Sequence, residues 1–518
     1  MRAPLPWVFV LALPLAGSGF AAEPALDVGK SASSSRDHTC SAASADAGPA
    51  HSVRHRLVRL PVPLFLETPT ASQAASWLKE LRLTPSPAAV VHVMNPYHIQ
   101  RLLSNAQRSQ IHSVGMAGFY EDEELEDATR ATLGAQYRIR SELMRAGGLY
   151  FSRDLTGPAF WEIVEPERGE FRYDLTDMIL SNSRRSGGAE LMVVQPYASW
   201  DQAAAGYPAN SENESFFTGG DFFVLKENTG PGPAFDLAAY EDFLAHLKAH
   251  AGESFWEIAN EMDGGNGGTY SGSSGALQYI ELLRSSRRAL GPEAVIVNGG
   301  SIGFIGFPDV AAFWPAFFSN GGGALIDVLN LHYPSEWDEV AQDSSKLEEL
   351  LDFFNGYLAA GSLTKEIWLT EFVIGDPSLS EQQVAEWYLK RFSFAAARGA
   401  RKIFVELADT KGKNGLAPLG VSAMFYIEDE AFVAQLAFYT QKLINAKLTG
   451  FVGCMELVKD KQYEFSVNGR PVFVLWGAGQ LPPAVAGHAV KVTDVFGNET
   501  VTSAPVLTAS PVFLEPLD

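Results

Sequence analysis

Between residues 106 and 446, short and almost continuously apolar runs alternate with longer amphipathic ones. This alternation predicts an α/β fold, a (β/α)8 barrel, with an accessory β-sandwich built from strands at the two ends of the chain. Three observations lead there. The β-like runs number eight and each is apolar on both faces, as a strand must be when side chains fill a barrel on one side and helices cover the other. Segments entering strands are short, such as Gly147 and Gly148, whereas those leaving strands are long. No G-x-G-x-x-G motif follows a strand, which argues against a doubly wound sheet.

In chain order, residues 1–22 hold Arg2, an apolar run from Trp7 to Ala16 and small residues at Ala21 and Ala22, the layout of a secretory signal peptide. The mature protein is expected to be secreted or periplasmic. Residues 23–52 are Ser/Ala/Asp-rich without apolar period and predict a linker. Residues 53–105, with "RHRLVRLPVPLFLE" and "WLKELRLTPSPAAVVHVMNPY", read as proline-punctuated N-terminal strands of the accessory module. In the barrel, residues 106–446, the strand-like runs are "IHSVGMAG", "GLYFSRD", "ELMVVQPY", "SFWEIANE", "AVIVNG", "IDVLNLHY", "EIWLTEFV" and "RKIFVEL". Helical periodicity occupies stretches such as "YEDFLAHLKAH", "ALQYIELLRSSRRAL" and "EQQVAEWYLKRFSFAAA". Residues 447–518 return to short strands broken by "NG" and "GN" turns, the C-terminal β-sandwich.

The 39 basic against 61 acidic residues give a net charge of −22, which repels phosphate backbones and anionic lipid and excludes nucleic acid as a natural partner. Beyond the leader no run approaches the ~20 apolar residues of a membrane span. Cys40 and Cys454 are the two cysteines, equally compatible with one bridge and with free thiols. The pattern specifies no oligomeric state.

In a barrel, reactive groups sit at the carboxyl ends of strands. Those ends carry Arg153 and Asp154 on the second strand, Tyr197 on the third, Asn260 and Glu261 on the fourth, His332 and Tyr333 on the sixth, and Glu371 on the seventh. Two glutamates on different strands across one cleft suit glycosidic cleavage, which needs a proton donor for the leaving oxygen and a second carboxylate facing the anomeric carbon. Their environments must drive their pKa values apart, and Arg153 is the cation that would keep one of them ionised. Because neighbouring strand residues face opposite ways, Asn260 and Glu261 both reach the site only if the pleat breaks, and the glycine-rich "MDGGNGG" that follows allows it. The long aromatic loop after the third strand brings Trp200, whose ring could stack on a sugar face.

"WEIANE" (Trp256 to Glu261) and "WLTEF" (Trp368 to Phe372) resemble the acid/base and nucleophile motifs of clan A glycoside hydrolases. "YFSRDLTGPAFWEIVEPERGEFRYD" is similar to the family segment in which an Arg ends the second strand and E-P-x-x-G follows, and "PVFLEPL" is similar to the last strand of the β-sandwich in family 39 and its relatives. The resemblance implies a retaining enzyme on a TIM barrel that needs neither cofactor nor metal. Glu261 would be the acid/base, Glu371 the nucleophile and Asn260 the ligand of the sugar 2-hydroxyl. Arg153 and either His332 or Tyr333 would bond the nucleophile. Ala259 stands where relatives often carry Trp, and "LHYP" where His-x-Tyr is common, so the choice between His332 and Tyr333 is open. The expected function is a secreted retaining β-glycosidase of oligo- or polysaccharides, endo-acting or β-xylosidase-like. The competing reading is a non-catalytic carbohydrate-binding or scaffold protein on a barrel frame.

Overall fold

The structure, a computed structural model, describes residues 81–95, 137–201 (apart from 139, 155, 156 and 199), 236–263, 272–334 (apart from 304), 344–374, 379–410, 424–428 and 431–517. Eight parallel strands close into a barrel: β1 (Val91–Asn95), β2 (Phe151–Asp154), β3 (Ala189–Gln195), β4 (Phe255–Ile258), β5 (Val295–Asn298), β6 (Val328–Pro334), β7 (Glu366–Val373) and β8 (Ala400–Glu406). Each pairs with its successor except β8, which pairs back onto β1. Seven of these strands are the runs the sequence marks.

The first strand is a correction. Val91–Asn95, assigned from sequence to the accessory module, lies in the barrel between β2 and β8, with Met94 opposite both Arg153 and Glu406. The run expected to open the barrel, residues 111–118, lies outside the described residues. "VHVMN" reads as a strand in either setting, and only closure distinguishes them: without it β2 and β8 would each present an open edge. Asn445 helps to seat it, its Oδ1 accepting from the Val90 and Val91 amides at 3.0 and 2.8 Å.

Helices cover the outside: α1 (Asp174–Arg185), α2 (Leu237–Ala251), α3 (Gly272–Leu290), α4 (Pro308–Ser319), α5 (Ser345–Ala360), α6 (Glu381–Ala397) and α7 (Leu436–Leu448). Their boundaries follow local chemistry. Asp236 caps α2 by accepting from the Ala238 and Ala239 amides, and Gly252 ends it in the left-handed region at φ 65°. Ser380 and Gln383 cap each other at the start of α6. The core has two layers. Outside the barrel, residues such as Trp161, Trp256, Trp314 and Trp387 pack between strands and helices. Inside, Phe151, Trp368 and Phe404 pack with Met94, Leu191, Val297 and Val328, so side chains fill the barrel interior.

After α7 the chain enters a separate antiparallel sheet: β9 (Phe451–Val458), β10 (Gln462–Val467), β11 (Arg470–Leu475), β12 (Val490–Asp494), β13 (Glu499–Thr502) and β14 (Val512–Pro516), in the order β9-β10-β11-β14-β12-β13. Its described strands all come from the C-terminal end. The sheet docks on α6 and α7: Phe392 packs on Phe451 and Phe465, Arg398 reaches Glu456 at 3.2 Å, and Lys447 reaches Glu499 at 3.0 Å. The Cys454 thiol is buried and faces the Ser393 carbonyl, and Cys40 lies outside the described residues. No helix among the described residues is long and apolar enough to cross a membrane.

Candidate active site

The site is organised around one cation. Arg153 shares the inward face of β2 with Phe151 and is fully buried. Its guanidinium forks onto Glu257 of β4, with Nε and Nη2 each 2.7 Å from a carboxylate oxygen. Nη1 donates to Glu371 Oε1 at 2.8 Å, and Nη2 also donates to Asn260 Oδ1 at 2.6 Å. The planar fork makes four directed bonds to three groups, where an ammonium has only three hydrogens on a single nitrogen. Glu257 is as buried as Arg153, so this pair is an internal support for the groups above it.

β4 ends at Ile258, and the pleat breaks there. Ala259 and Glu261 both take left-handed backbone angles, φ 65° and 49°, rare for residues with a side chain. The Glu261 amide bonds the Gly299 carbonyl across the break. A Cβ on Gly299 would lie 2.7 Å from the Ile258 carbonyl oxygen, so only glycine lets β5 approach this closely. The break turns Asn260 and Glu261 toward the same cleft. Asp263 fastens the segment that follows: its buried carboxylate accepts from Ser301 Oγ at 2.5 Å, Trp314 Nε1 at 2.8 Å and the Ile302 amide at 3.1 Å.

A second irregularity aligns β6 with β7. Leu331 pairs with Leu369, but the next pair is His332 with Glu371, so Thr370 is an extra residue on β7. The bulge brings His332 Nδ1 to 3.0 Å from Glu261 Oε1 and 3.7 Å from Glu371 Oε1. The glutamates, the His332 ring and Arg153 therefore meet at the carboxyl ends of β2, β4, β6 and β7.

Burial lifts the Glu261 carboxyl from 4.5 to about 7 against the opposing pull of Arg153. His332 is lowered from 6.5 to about 4, chiefly by burial, with Arg153 lowering it further and Glu371 and Glu257 opposing, so the ring is neutral near pH 7. Asp263 rises from 3.8 to about 6 by burial, which its three hydrogen bonds partly offset.

Of the residues singled out from sequence, Arg153, Asn260, Glu261, His332 and Glu371 converge. Between the two left open on the sixth strand, His332 is the one that reaches the cleft, but its hydrogen bond runs to Glu261, with Glu371, the partner expected from sequence, 3.7 Å away. Tyr333 is corrected: its buried ring packs on Phe372 and Trp387 in the layer between barrel and helices. Strand alternation imposes this, since consecutive residues face opposite sides. Tyr197 is buried just beyond β3. Trp200 is held against the segment after β2, its Nε1 donating to the Glu165 carbonyl at 2.9 Å and its ring edge-on to Trp161 at 5.2 Å. Glu165, the acid of "EPERG", accepts from the Gly169 amide at 2.7 Å and from Trp161 Nε1, which makes it a turn support.

Sequence reasoning missed Glu257, Asp263, Thr370, Asn330 and Asn298. For Glu257 a signal existed, a lone charge inside the apolar run "FWEIA". Glu261, His332 and Glu371 bring one potential ligand atom each within 4.8 Å of the others. The Arg153 charge 2.8 Å from Glu371 opposes a cation there, so the set suits an acid and a nucleophile better than a metal ion.

Fold and site together define a parallel eight-stranded barrel with two carboxylates across its carboxyl end and an antiparallel sheet appended. No protein-family model and no curated protein matches the sequence. Among solved structures, the chain is similar to a family 39 glycoside hydrolase from Bacteroides cellulosilyticus WH2, with TM-score 0.53 and 14% identity over 73% of this chain and 78% of that one. Weaker likenesses are a family 30 endoxylanase from Clostridium papyrosolvens C71 (TM-score 0.47, 12% identity, 73% and 92% covered) and a family 51 α-L-arabinofuranosidase from Bifidobacterium longum (TM-score 0.47, 13% identity, 85% and 98% covered). The fold expected from the clan A resemblance is the fold found.

Proposed function

We propose that this protein is a retaining β-glycosidase acting on an oligo- or polysaccharide, with Glu371 as nucleophile and Glu261 as acid/base. The observation that carries the reading is the carboxylate pair itself. Each glutamate has an oxygen within 4.8 Å of one on the other, so the two carboxylates are near neighbours, which supports the ~5–5.5 Å spacing of a retaining pair. Their surroundings differ: burial keeps Glu261 protonated to about pH 7, while Glu371 accepts a hydrogen bond from the Arg153 guanidinium at 2.8 Å.

In this mechanism Glu371 attacks the anomeric carbon as Glu261 protonates the departing oxygen. The glycosyl-enzyme is then opened by water, from which Glu261 takes the proton. Asn260 Nδ2 is buried without a hydrogen-bond partner among the described residues, which supports a role as donor to a sugar hydroxyl. The likeness in fold to a family 39 glycoside hydrolase supports a carbohydrate substrate. Residues 1–22 act in this reading as an export signal, and N-terminal sequencing of the processed protein tests it.

The functional test is hydrolysis of a panel of 4-nitrophenyl β-glycosides and polysaccharides, followed by azide rescue. With a β-linked activated substrate, Glu261→Ala should yield the β-glycosyl azide through two inversions and Glu371→Ala the α-azide through one. Swapped products would exchange the two roles. Undiminished turnover in both variants would sink the proposal, because loss of a positioned acid or base costs ~10²- to 10⁴-fold.

A further inference from the structure

Behind His332 runs a chain of side-chain amides and one hydroxyl whose hydrogens can be placed in turn, because it starts from main-chain groups of known polarity. Asn330 Nδ2 donates to the Asn298 carbonyl at 3.1 Å, which turns Asn330 Oδ1 toward β7. The reverse orientation would set an amide oxygen against a carbonyl. Asn298 is fixed likewise, donating to the Asn330 carbonyl at 2.9 Å and accepting from the Asn330 amide at 2.7 Å. Asn330 Oδ1 accepts from the Thr370 amide at 3.3 Å and from the Thr370 hydroxyl at 2.8 Å.

A hydroxyl has one hydrogen, and that of Thr370 is spent on Asn330. What Thr370 presents to His332 Nε2, 3.2 Å away, is a lone pair. Arg153 Nη2 lies 3.5 Å from the same nitrogen, but its two hydrogens point to Glu257 and Asn260 at 2.7 and 2.6 Å. Nε2 therefore carries the hydrogen of the neutral ring, and Nδ1 carries the lone pair. Nδ1 faces Glu261 Oε1 at 3.0 Å, a hydrogen bond only when the proton is on Glu261.

We infer that Thr370, held by Asn330 and Asn298, fixes His332 as the Nε2–H tautomer and thereby makes His332 an acceptor for the protonated carboxyl of Glu261. Thr370 is a positioning residue acting through His332. The tautomer follows from the hydrogen bonds alone; only its consequence rests on Glu261 being the acid/base. A ring donating from Nδ1 would stabilise the Glu261 carboxylate and drain the acid of its proton. The locked ring does the opposite. Once Glu261 has given its proton away, its oxygen faces a lone pair, which favours recapture from the incoming water. Among the described residues, the charged and titratable groups facing the ring are Glu261 and Glu257 from the β4 side, Glu371 from β7 and Arg153 from β2, and their balance with burial leaves the ring uncharged near pH 7.

The test is ¹⁵N NMR of the full chain labelled at histidine, at pH 6, with the His332 signals assigned by their loss in His332→Asn. A ring nitrogen with a hydrogen and one with a lone pair resonate far apart. The unmutated chain should show His332 wholly as Nε2–H. Thr370→Val should turn this into a mixture containing Nδ1–H, and Thr370→Ser, which keeps the hydroxyl, should restore it. Nδ1–H in the unmutated chain, or an unchanged tautomer in Thr370→Val, would overturn the inference. No step needs turnover, so an Nε2–H ring in a chain that cleaves no glycoside would uphold the tautomer assignment while refuting the catalytic reading.

Discussion

Replacing Glu261 by glutamine should make the protein more stable at neutral pH while removing the proton donor of the proposed mechanism. Folding holds this carboxyl at about 7 against its ordinary 4.5 because burial penalises the ionised form more than Arg153 favours it. Below about pH 4.5 both folded and unfolded chains carry the proton, and no penalty exists. Between about 4.5 and 7 the unfolded chain releases the proton while the folded chain keeps it, so stability falls as pH rises. Above about 7 both are ionised and the penalty is complete. At about 1.4 kcal/mol per tenfold change in proton affinity, it comes to about 3 kcal/mol at pH 8. Glutamine does not titrate, and its amide can donate to His332 Nδ1 as the protonated acid does. The assay is urea unfolding of both proteins at pH 4.5 and pH 8. Asp263, also raised mainly by burial, contributes a slope of the same sign to both chains; the Glu261 charge is the smallest of its causes, so most of the difference between the chains comes from Glu261 itself. The variant should match the unmutated protein at pH 4.5 and exceed it by about 3 kcal/mol at pH 8. A difference independent of pH would refute the assignment of Glu261 as the raised carboxyl.

Arg153→Lys keeps the charge but loses the fork, leaving one of the buried partners Glu257 and Glu371 unserved; urea unfolding should show a loss of about 3–5 kcal/mol, and a change within experimental error would mean the network is not the support described here. Gly300→Ala drives a Cβ into His332 Nε2 at a backbone φ of 66°, so turnover should collapse while circular dichroism retains the fold, at a stability cost of about 1–3 kcal/mol. A fragment of residues 106–446 lacks Val91–Asn95 and the sheet over Phe392; size-exclusion chromatography should find it aggregated, whereas 81–518 should remain soluble, and equal solubility of the two would count against barrel closure by β1.

Seven barrel strands, the two glutamates and Arg153 were legible in the sequence because each depends on local pattern. An apolar run ending in a polar residue marks a strand end whatever surrounds it, and in a barrel strand ends converge. The need for a broken pleat at Glu261 was legible too, and Ala259 and Glu261 supply it with left-handed backbone angles. Other features depended on which strand lies beside which, and sequence does not carry that directly. "VHVMN" could serve any sheet until closure placed it between β2 and β8. The choice of His332 over Tyr333 required knowing which face of β6 looks inward, and the extra residue Thr370 set the His332 pairing with Glu371. Glu257 is a lone charge in an apolar strand, and only the fold sets it beside Arg153, 104 residues earlier. Asn298, Asn330 and Thr370 are ordinary polar residues in three separate strands. Their meaning is directional: a hydrogen bond has a donor and an acceptor, and only the tertiary structure, by setting one amide against a known carbonyl, decides which way the chain of hydrogens runs to His332.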